Sequence, residues 1–455
     1  MVRRKIVQFV IVLTLIFSLG ISGCSWGSSE SSGNTNAKDN GDKPYAGTTI
    51  RIMVTPGTGQ YNAWKSRTKE FTQKTGIKVE FVDVSFSKML EKITTDGISA
   101  KGYYDLVNFM GMWGPSIQQF LQPLDEYIEK DDFDLSRWPD VFVEGASFGG
   151  HVYGLPMRGH PQMLFYRKDT FKQLNLKKPE TWNEVVEMGS KVVENTNQSG
   201  IVPYYGRGNN GQNLFMWTAY LWSNGGNIFD EDWKPVFNSK QGVEATKRYI
   251  DLLLKHNIAP TGSISFNEQD AMNHFSQGKS AMWLGWWWAY GTFNNKEVLA
   301  SEVVGNVGYS SVPKWEGKES VANALTFPTG IMKASKNKEA AWEYLKWLAS
   351  PEMDLGIAMD SLTNKSAAKE HSIVVTQVNS LKNEKLNELT DGMYKVALKN
   401  LENARTLPQI KVWPKVASIL STAISEMASG APVEKTLNDA QKQVKEVMER
   451  GGYYK

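Results

Sequence analysis

The chain has 455 residues, 41% hydrophobic and 22% charged, which is ordinary globular composition and long enough for two domains with separate cores. Its 51 basic and 48 acidic residues nearly balance. Residues 1–23 hold Arg3, Arg4 and Lys5 and no acid, so without them 48 of each remain, a neutrality that argues against nucleic-acid binding and electrostatic membrane docking and suits an uncharged ligand.

Arg3, Arg4 and Lys5 precede an apolar run from Ile6 to Ile21. The run is too short and too close to the N-terminus for a membrane span and reads as the core of a signal peptide over residues 1–23. Cys24 is the one cysteine, so no disulfide can form within the chain. Following Leu19-Gly20-Ile21-Ser22-Gly23, it looks like a bacterial lipobox. That resemblance implies cleavage before Cys24 and diacylglycerol on its sulfur, and two or more acyl chains hold a protein stably on a membrane. Residues 24–46, rich in Ser, Gly, Asn and Asp, read as a flexible tether. No later apolar run approaches membrane-spanning length.

Beyond the tether, Thr48–Val54 reads as a strand broken by Pro56-Gly57, Tyr61–Lys74 as a helix stopped by Gly76, and Ile77–Val84 as a second strand. Ser87–Ala100 is the next helix and Asp105–Met110 the third strand. This alternation predicts an α/β fold with mainly parallel sheets flanked by helices. Trp113 sits among Gly111, Gly114 and Pro115 just past that strand, where it can face a cleft or the core. Residues 150–156 read as a hairpin. Arg158 and His160 follow in a Gly/Pro-bounded stretch. A guanidinium offers a planar fork to paired hydroxyls and equally to a carboxylate. Thr181 can cap a helix Trp182–Asn195, with Glu184 completing a capping box. Leu214–Ser223 carries Trp217, Tyr220 and Trp222 and ends at Asn224-Gly225-Gly226 in the manner of a C-cap. Asp230-Glu231-Asp232 suggests a solvated turn before the helix Lys240–Lys255, with a metal loop as the lesser alternative. Asn306–Val312 and Phe327–Lys333 read as strands, Lys338–Ala349 as an amphipathic helix, and Ser366–Lys455 as mostly helical, including helices over 416–428 and 433–448.

Four of the 16 tryptophans fall within Trp283–Trp288. Helix Asn267–Gln277 and a short buried strand Ser280–Leu284 place this run at the carboxyl end of a strand, where open α/β sheets bind ligands. Neither a strand nor a helix period can bury Trp286, Trp287 and Trp288 in one core, because neighbours point to opposite faces or about 100° apart. At least one indole should face a cleft or a partner, as a stacking platform for a flat uncharged ring such as a sugar.

The pattern Phe275-x-x-Gly278-Lys279-x-Ala281-Met282 before the Trp run resembles the extracellular solute-binding proteins (family 1) of bacterial ABC sugar importers, including their maltose-binding branch. Further resemblances follow in order over about residues 48–450: Phe71–Val79 (FTQKTGIKV), Tyr104–Val107 with Trp113, Leu121–Ile128 (LQPLDEYI), Gly150–Pro156 (GHVYGLP), Leu164–Asp169 (LFYRKD), Pro179–Glu184 (PETWNE), Ser335–Ala341 (SKNKEAA) and Leu407–Pro414 (LPQIKVWP). The resemblance implies a two-lobed periplasmic-binding-protein fold with ligand in the inter-lobe cleft. It puts 47–156 plus 305–360 in the N-terminal lobe and 157–304 plus 361–455 in the C-terminal lobe. It implies that Trp288 stacks on sugar, that Gln60 and Tyr61 lie at a site-facing first turn, that Trp217 faces the site, and that Trp413 stands beside a sugar-stacking position.

The expected ligand-binding set is therefore Gln60, Tyr61, Trp113, Arg158, His160, Asn213, Trp217, Trp286, Trp287, Trp288, Gln409 and Trp413. Polar rim groups such as Gln60, Arg158, Asn213 and Gln409 would pair with hydroxyls. The expected partners are a mono- or oligosaccharide, the permease subunits of an ABC importer, and a membrane reached through the lipid on Cys24. The protein would act as a monomer at the extracellular face of that membrane, without cofactor, metal or nucleic acid. The rival class is a surface glycoside hydrolase or lyase, which needs two carboxyls across a bond. Glu268 with Asp270, or Asp230 with Asp232, are the candidates, and no other catalytic motif occurs. A binder of a non-sugar solute is the third possibility.

Overall fold

Thr49–Val54 (TIRIMV) is β-branched and apolar at most positions and forms β1, the central strand of the first half-sheet. The computed structural model describes residues 43–208, 211–294, 296, 301, 303–364, 366–367 and 374–454. The expected signal peptide, Cys24 and the expected tether up to residue 42 lie outside the described residues. The elements below all belong to one unit, Tyr45–Lys455.

β1 runs parallel to β2 (Lys78–Asp83) and β3 (Leu106–Asn108). Helices Gly59–Thr75 and Phe86–Ser99 make the two crossovers. Gly76 stops the first of them at φ 76°, with its N–H on the Thr72 carbonyl. A short hairpin follows, β4 (Ser147–Phe148) with β5 (His151–Val152), and feeds the longest strand, β6 (Leu155–Arg167). The first half of β6 pairs antiparallel with β10 (Ala324–Ile331), which in turn lies antiparallel to β3. Its second half, Gln162–Arg167, pairs antiparallel with β8 (Ser280–Trp286) and β9 (Val307–Ser310). β7 (Ser199–Ile201) runs parallel to β8.

The path β2-β1-β3-β10-β6-β8-β7 is thus two half-sheets spliced along β6. The sheet is mixed rather than mainly parallel: pairing is parallel where a helix crosses over, and antiparallel where the chain goes out along β6 and returns along β10.

Local chemistry fixes the elements around this frame. The Thr181 hydroxyl accepts from the Glu184 N–H, and the Glu184 carboxylate accepts from the Thr181 N–H, so helix Trp182–Asn195 starts on a complete capping box. Helix Asn213–Ser223 is buried along its whole length. It ends on a Schellman pair, Gly225 N–H to the Trp222 carbonyl and Gly226 N–H to the Leu221 carbonyl, with Gly225 at φ 79°. The buried Asp105 carboxylate accepts from the Arg51 N–H (2.8 Å), the Ser335 hydroxyl (2.6 Å) and the Asn337 amide (3.2 Å). It thereby ties the Ser335–Ala341 segment to the edge of β3. Helices Trp413–Ala428 and Val433–Arg450 close the chain. Among the described residues no helix is long and apolar enough to cross a membrane.

Candidate ligand-binding site

A cavity of about 550 Å³ opens where the two half-sheets meet, within the range of roughly 300–1,000 Å³ of small-molecule clefts. One wall comes from the ends of β1, β2 and β3: Thr55 and Thr58 after β1, Phe86, Ser87 and Leu90 on the first turns of helix Phe86–Ser99 after β2, and Met110, Met112 and Trp113 after β3. The opposite wall is Gln212, Phe215, Glu268, Trp286 and Trp288. The floor is the spliced pair of strands, Arg158 and His160 on β6 and Leu325 and Phe327 on β10. Both walls thus stand at the carboxyl ends of parallel strands, where open α/β sheets place their ligands.

Six aromatic rings line this space. Phe86 is 37% exposed and lies 5.2 Å from Trp113, centroid to centroid. Phe327 is 6.3 Å from Phe86. Across the cavity the Trp286 ring meets Phe215 edge-on at 5.1 Å, and Trp288 is half-buried with its ring at the surface of the cavity.

The polar groups are few and specific. On β6, residues 158 and 160 share a face because strand side chains alternate. The Arg158 guanidinium lies over the Phe327 ring, 4.4 Å from its centroid, beside the Tyr61 hydroxyl. Burial pushes that hydroxyl's pKa up, and the neighbouring guanidinium draws it partly back. His160 is 2% exposed. Its Nδ1 accepts from the Trp287 indole N–H at 3.0 Å, which puts the ring proton on Nε2. Burial, reinforced by Arg158, holds its pKa well below the ordinary range, so the imidazole is neutral. Nε2 has no hydrogen-bond partner. Glu268, in the first turn of helix Glu268–Ser276, has its carboxyl pushed up to about 7 by burial, opposed by a hydrogen bond from the Trp286 indole.

Of the twelve residues singled out by the sequence, the cavity wall gathers Trp113, Arg158, His160, Trp286 and Trp288. The other seven lie outside it. Gln60 is buried, donating to the Met157 carbonyl at 2.7 Å. Tyr61 stands behind Arg158. Asn213 bridges the carbonyls of Tyr205 and Ser421. Trp217 is sealed in the core with its N–H on the Thr246 hydroxyl at 2.8 Å. Trp287 is 1% exposed, donating to the Gly159 carbonyl and to His160. Gln409 is half-buried beside Gly111, where an added Cβ would come 3.2 Å from its amide nitrogen. Trp413 is buried at the start of its helix. β8 also runs two residues beyond the expected strand, so Trp286 belongs to it rather than to the following loop.

Several wall residues escaped the sequence reading by a short step. The helix after the Gly/Asn loop presents Phe215, not Trp217, and two residues along a helix turn the side chain by roughly 200°. Gln212 lines the cavity where its neighbour Asn213 was expected. Thr55 and Thr58 flank the Pro56-Gly57 break, which marked the turn without showing which residues it turns inward. Phe327 and Leu325 left no local signal, because they reach the cavity only through register with Arg158 and His160. Glu268, considered as half of a catalytic pair, is the one acidic residue of the wall among the described residues. Its supposed partner Asp270 is occupied in a capping box with Asn267. The Asp230 carboxylate accepts from the backbone N–H groups of Asp232 and Lys234, and among the described residues no cluster of three or more His, Cys, Asp or Glu could hold a metal.

Residues 55–354 match the sequence profile described as bacterial extracellular solute-binding protein. A Sinorhizobium fredii protein described as a "probable amino-acid ABC transporter periplasmic-binding protein" is 29% identical over 343 residues, 73% of this chain and 76% of its own. The mannitol-binding protein of Pseudomonas aeruginosa is 25% identical over 281 residues, 60% and 62% of the two chains. Among solved structures, an Agrobacterium radiobacter ABC-transporter solute-binding protein in complex with ribitol superposes with a TM-score of 0.72 at 25% identity, covering 89% of this chain and all of the other. Maltose-bound MalE3 of T. maritima superposes at 0.75 with 24% identity, over 88% and 99%, a likeness of fold. With the profile spanning both half-sheets and the cavity between them, the chain belongs to the bacterial extracellular solute-binding proteins and has their two-lobed fold.

Proposed function

We propose that this protein captures a saccharide or sugar alcohol outside the cell and delivers it to an ABC importer, through binding and hinge closure rather than chemistry. The observation that carries the reading is the cavity wall: six aromatic rings supply apolar faces, while Arg158, His160, Gln212, Glu268 and the threonine and serine hydroxyls supply polar groups between them. Sugars have that chemistry, with C–H groups on the ring faces and hydroxyls at the rim. The ribitol-bound and mannitol-binding relatives are consistent with it. A glycoside hydrolase would need a second carboxyl across the bond, and among the described residues the wall offers Glu268 alone. Among the proposed contacts, Trp288 and Trp113 stack on the ligand, Trp286 orients Glu268, and Arg158 and His160 read its polar edge. Tyr61 and Trp287 act from behind by holding Arg158 and His160.

The lobes proposed from the sequence, 47–156 plus 305–360 and 157–304 plus 361–455, meet along β6. The strand pairing supports moving the first crossing to the splice near Pro161 and the second to beyond Ser310, since β9 pairs with the half of β6 that also holds β8. Closure then bends β6 and the chain leading into β10. Cleavage before Cys24 and lipidation of its sulfur would hold the protein, as a monomer, at the outer face of the cell membrane.

The test is calorimetric titration of the purified mature chain with a panel of hexoses, pentitols, hexitols and oligosaccharides. Saturable one-to-one binding without turnover is expected. Product release, or binding of amino acids and no saccharide, would overturn the reading. Fatty-acid labelling that survives Cys24→Ala would overturn the anchor.

A further inference from the structure

Five of the nine described arginines have acidic partners. Arg51 pairs with Glu80, Arg67 with Asp360, Arg167 with Asp169, Arg248 with Glu244 and Arg450 with Glu446. Arg158 differs. It is half-buried in the cavity floor, and among the described residues no carboxylate reaches it; it lies against the Phe327 ring and the Tyr61 hydroxyl. Two residues along the same strand face, His160 also lines the cavity, and its Nε2–H, itself buried from solvent, has no hydrogen-bond partner. An unsatisfied buried donor is costly, so a fold that keeps one beside an unpaired guanidinium is expected to meet an acceptor there.

Both donors are held in place. Phe327 stands directly across the ladder from Arg158, with the guanidinium on its face and the His160 ring edge-on at 5.7 Å. The Trp287 N–H fixes the imidazole tautomer. The result is a rigid planar fork with one further N–H alongside. That donor set matches the two oxygens of a carboxylate, and it is sparse for the three oxygens of a phosphate.

We propose that the ligand of this cavity is an acidic saccharide, a sugar or short oligosaccharide bearing a carboxylate, and that Arg158 and the Nε2–H of His160 grip that carboxylate. The inference rests on the saccharide reading above and narrows it. The rest of the sugar then lies against Trp113 and Trp288. Trp286 and Glu268, on the opposite wall, face its hydroxyls rather than its acid.

The test is calorimetric titration of the mature protein with matched ligands: glucuronate and galacturonate, their disaccharides, the neutral parent sugars, the methyl esters of the acids, and a sugar phosphate. The acid is expected to bind at least tenfold more tightly than its own methyl ester and its neutral parent. In Arg158→Gln that ratio should fall to near one. Arg158→Lys, which keeps the charge and loses the fork, should fall between the two. Unliganded melting points check that the variants fold, and the ester comparison on unaltered protein stands without them. A neutral sugar or sugar alcohol that binds as well as or better than its acid would overturn this proposal and leave the saccharide reading intact. Preference for the sugar phosphate would overturn the carboxylate assignment. Failure of every saccharide, acidic or neutral, would overturn both.

Discussion

Three consecutive tryptophans have three different positions, and removing them one at a time should separate folding from binding. Trp287 is 1% exposed, packs edge-on against Tyr394 at 5.6 Å and spends its N–H on Gly159 and His160. Trp287→Ala opens a cavity and strands two acceptors, a loss of about 3–5 kcal/mol. In a unit of about 400 residues the unfolding entropy makes 1 kcal/mol worth about 1 °C, so the unliganded melting point should drop by about 3–6 °C. Trp288 is half-buried at the cavity surface, and Trp288→Ala should leave that melting point within about 1 °C. Ligand at 100 times its Kd adds about 2.7 kcal/mol, or about 3 °C. Loss of the stacking face removes about 2–3 kcal/mol of binding, raises Kd roughly 30- to 150-fold, and shrinks the ligand-induced shift to under about 1 °C. Thermal melts with and without ligand on the two variants decide the matter. If Trp288→Ala lowers the unliganded melting point as far as Trp287→Ala does, or keeps the full ligand shift, the assignment of faces is refuted.

Three further expectations concern folding and protonation. Thr181→Ala removes the cap from helix Trp182–Asn195 and should cost about 1 kcal/mol in urea unfolding, while Thr181→Ser should restore most of it. Gly200 lies so close to helix Trp182–Asn195 that an added Cβ would sit 2.5 Å from Gly189 Cα and 2.7 Å from its carbonyl oxygen. Gly200→Ala should therefore cost more than 2 kcal/mol or abolish soluble expression, and a neutral result would contradict that contact. The Glu268 carboxyl titrates at about 7 when folded and near 4.5 when unfolded, so between these values the folded state holds more protons. Stability should fall as pH rises from about 4.5 to 7 and then level off. The full shift is worth about 3 kcal/mol, and about half of that is expected for a half-buried group reached by solvent. Urea melts at pH 5 and pH 7.5 should show this slope in the parent protein and lose it in Glu268→Gln.

Much of the fold was legible because it depends on neighbours in sequence. Helix Trp182–Asn195 falls where its capping box and apolar period place it, and the stops at Gly76 and Gly225 follow from the need for positive φ at a helix end. The strand-helix alternation of the first hundred residues announced an α/β sheet. The same local logic showed that Trp286, Trp287 and Trp288 could not share one core.

What that logic could not say was which of the three faces the cavity. The answer depends on the length of β8 and on its register against β6, and one residue of slip exchanges the two faces of a strand. The same holds for Phe327 and Leu325, ordinary strand residues until β10 lies opposite Arg158 and His160. Trp217 and Phe215 were separated only by how the helix Asn213–Ser223 is rotated against the strands. The unpaired state of Arg158 was equally invisible, since an arginine's partner is a fact of three-dimensional proximity. Sequence alone determined the class of fold, the family and the aromatic wealth of the chain, because these rest on local propensity and ordered motifs. Only tertiary structure decided the membership of the cavity, because facing, register and charge pairing are set between segments that are not neighbours in sequence, such as Phe215 with Trp286 and Arg158 with Phe327.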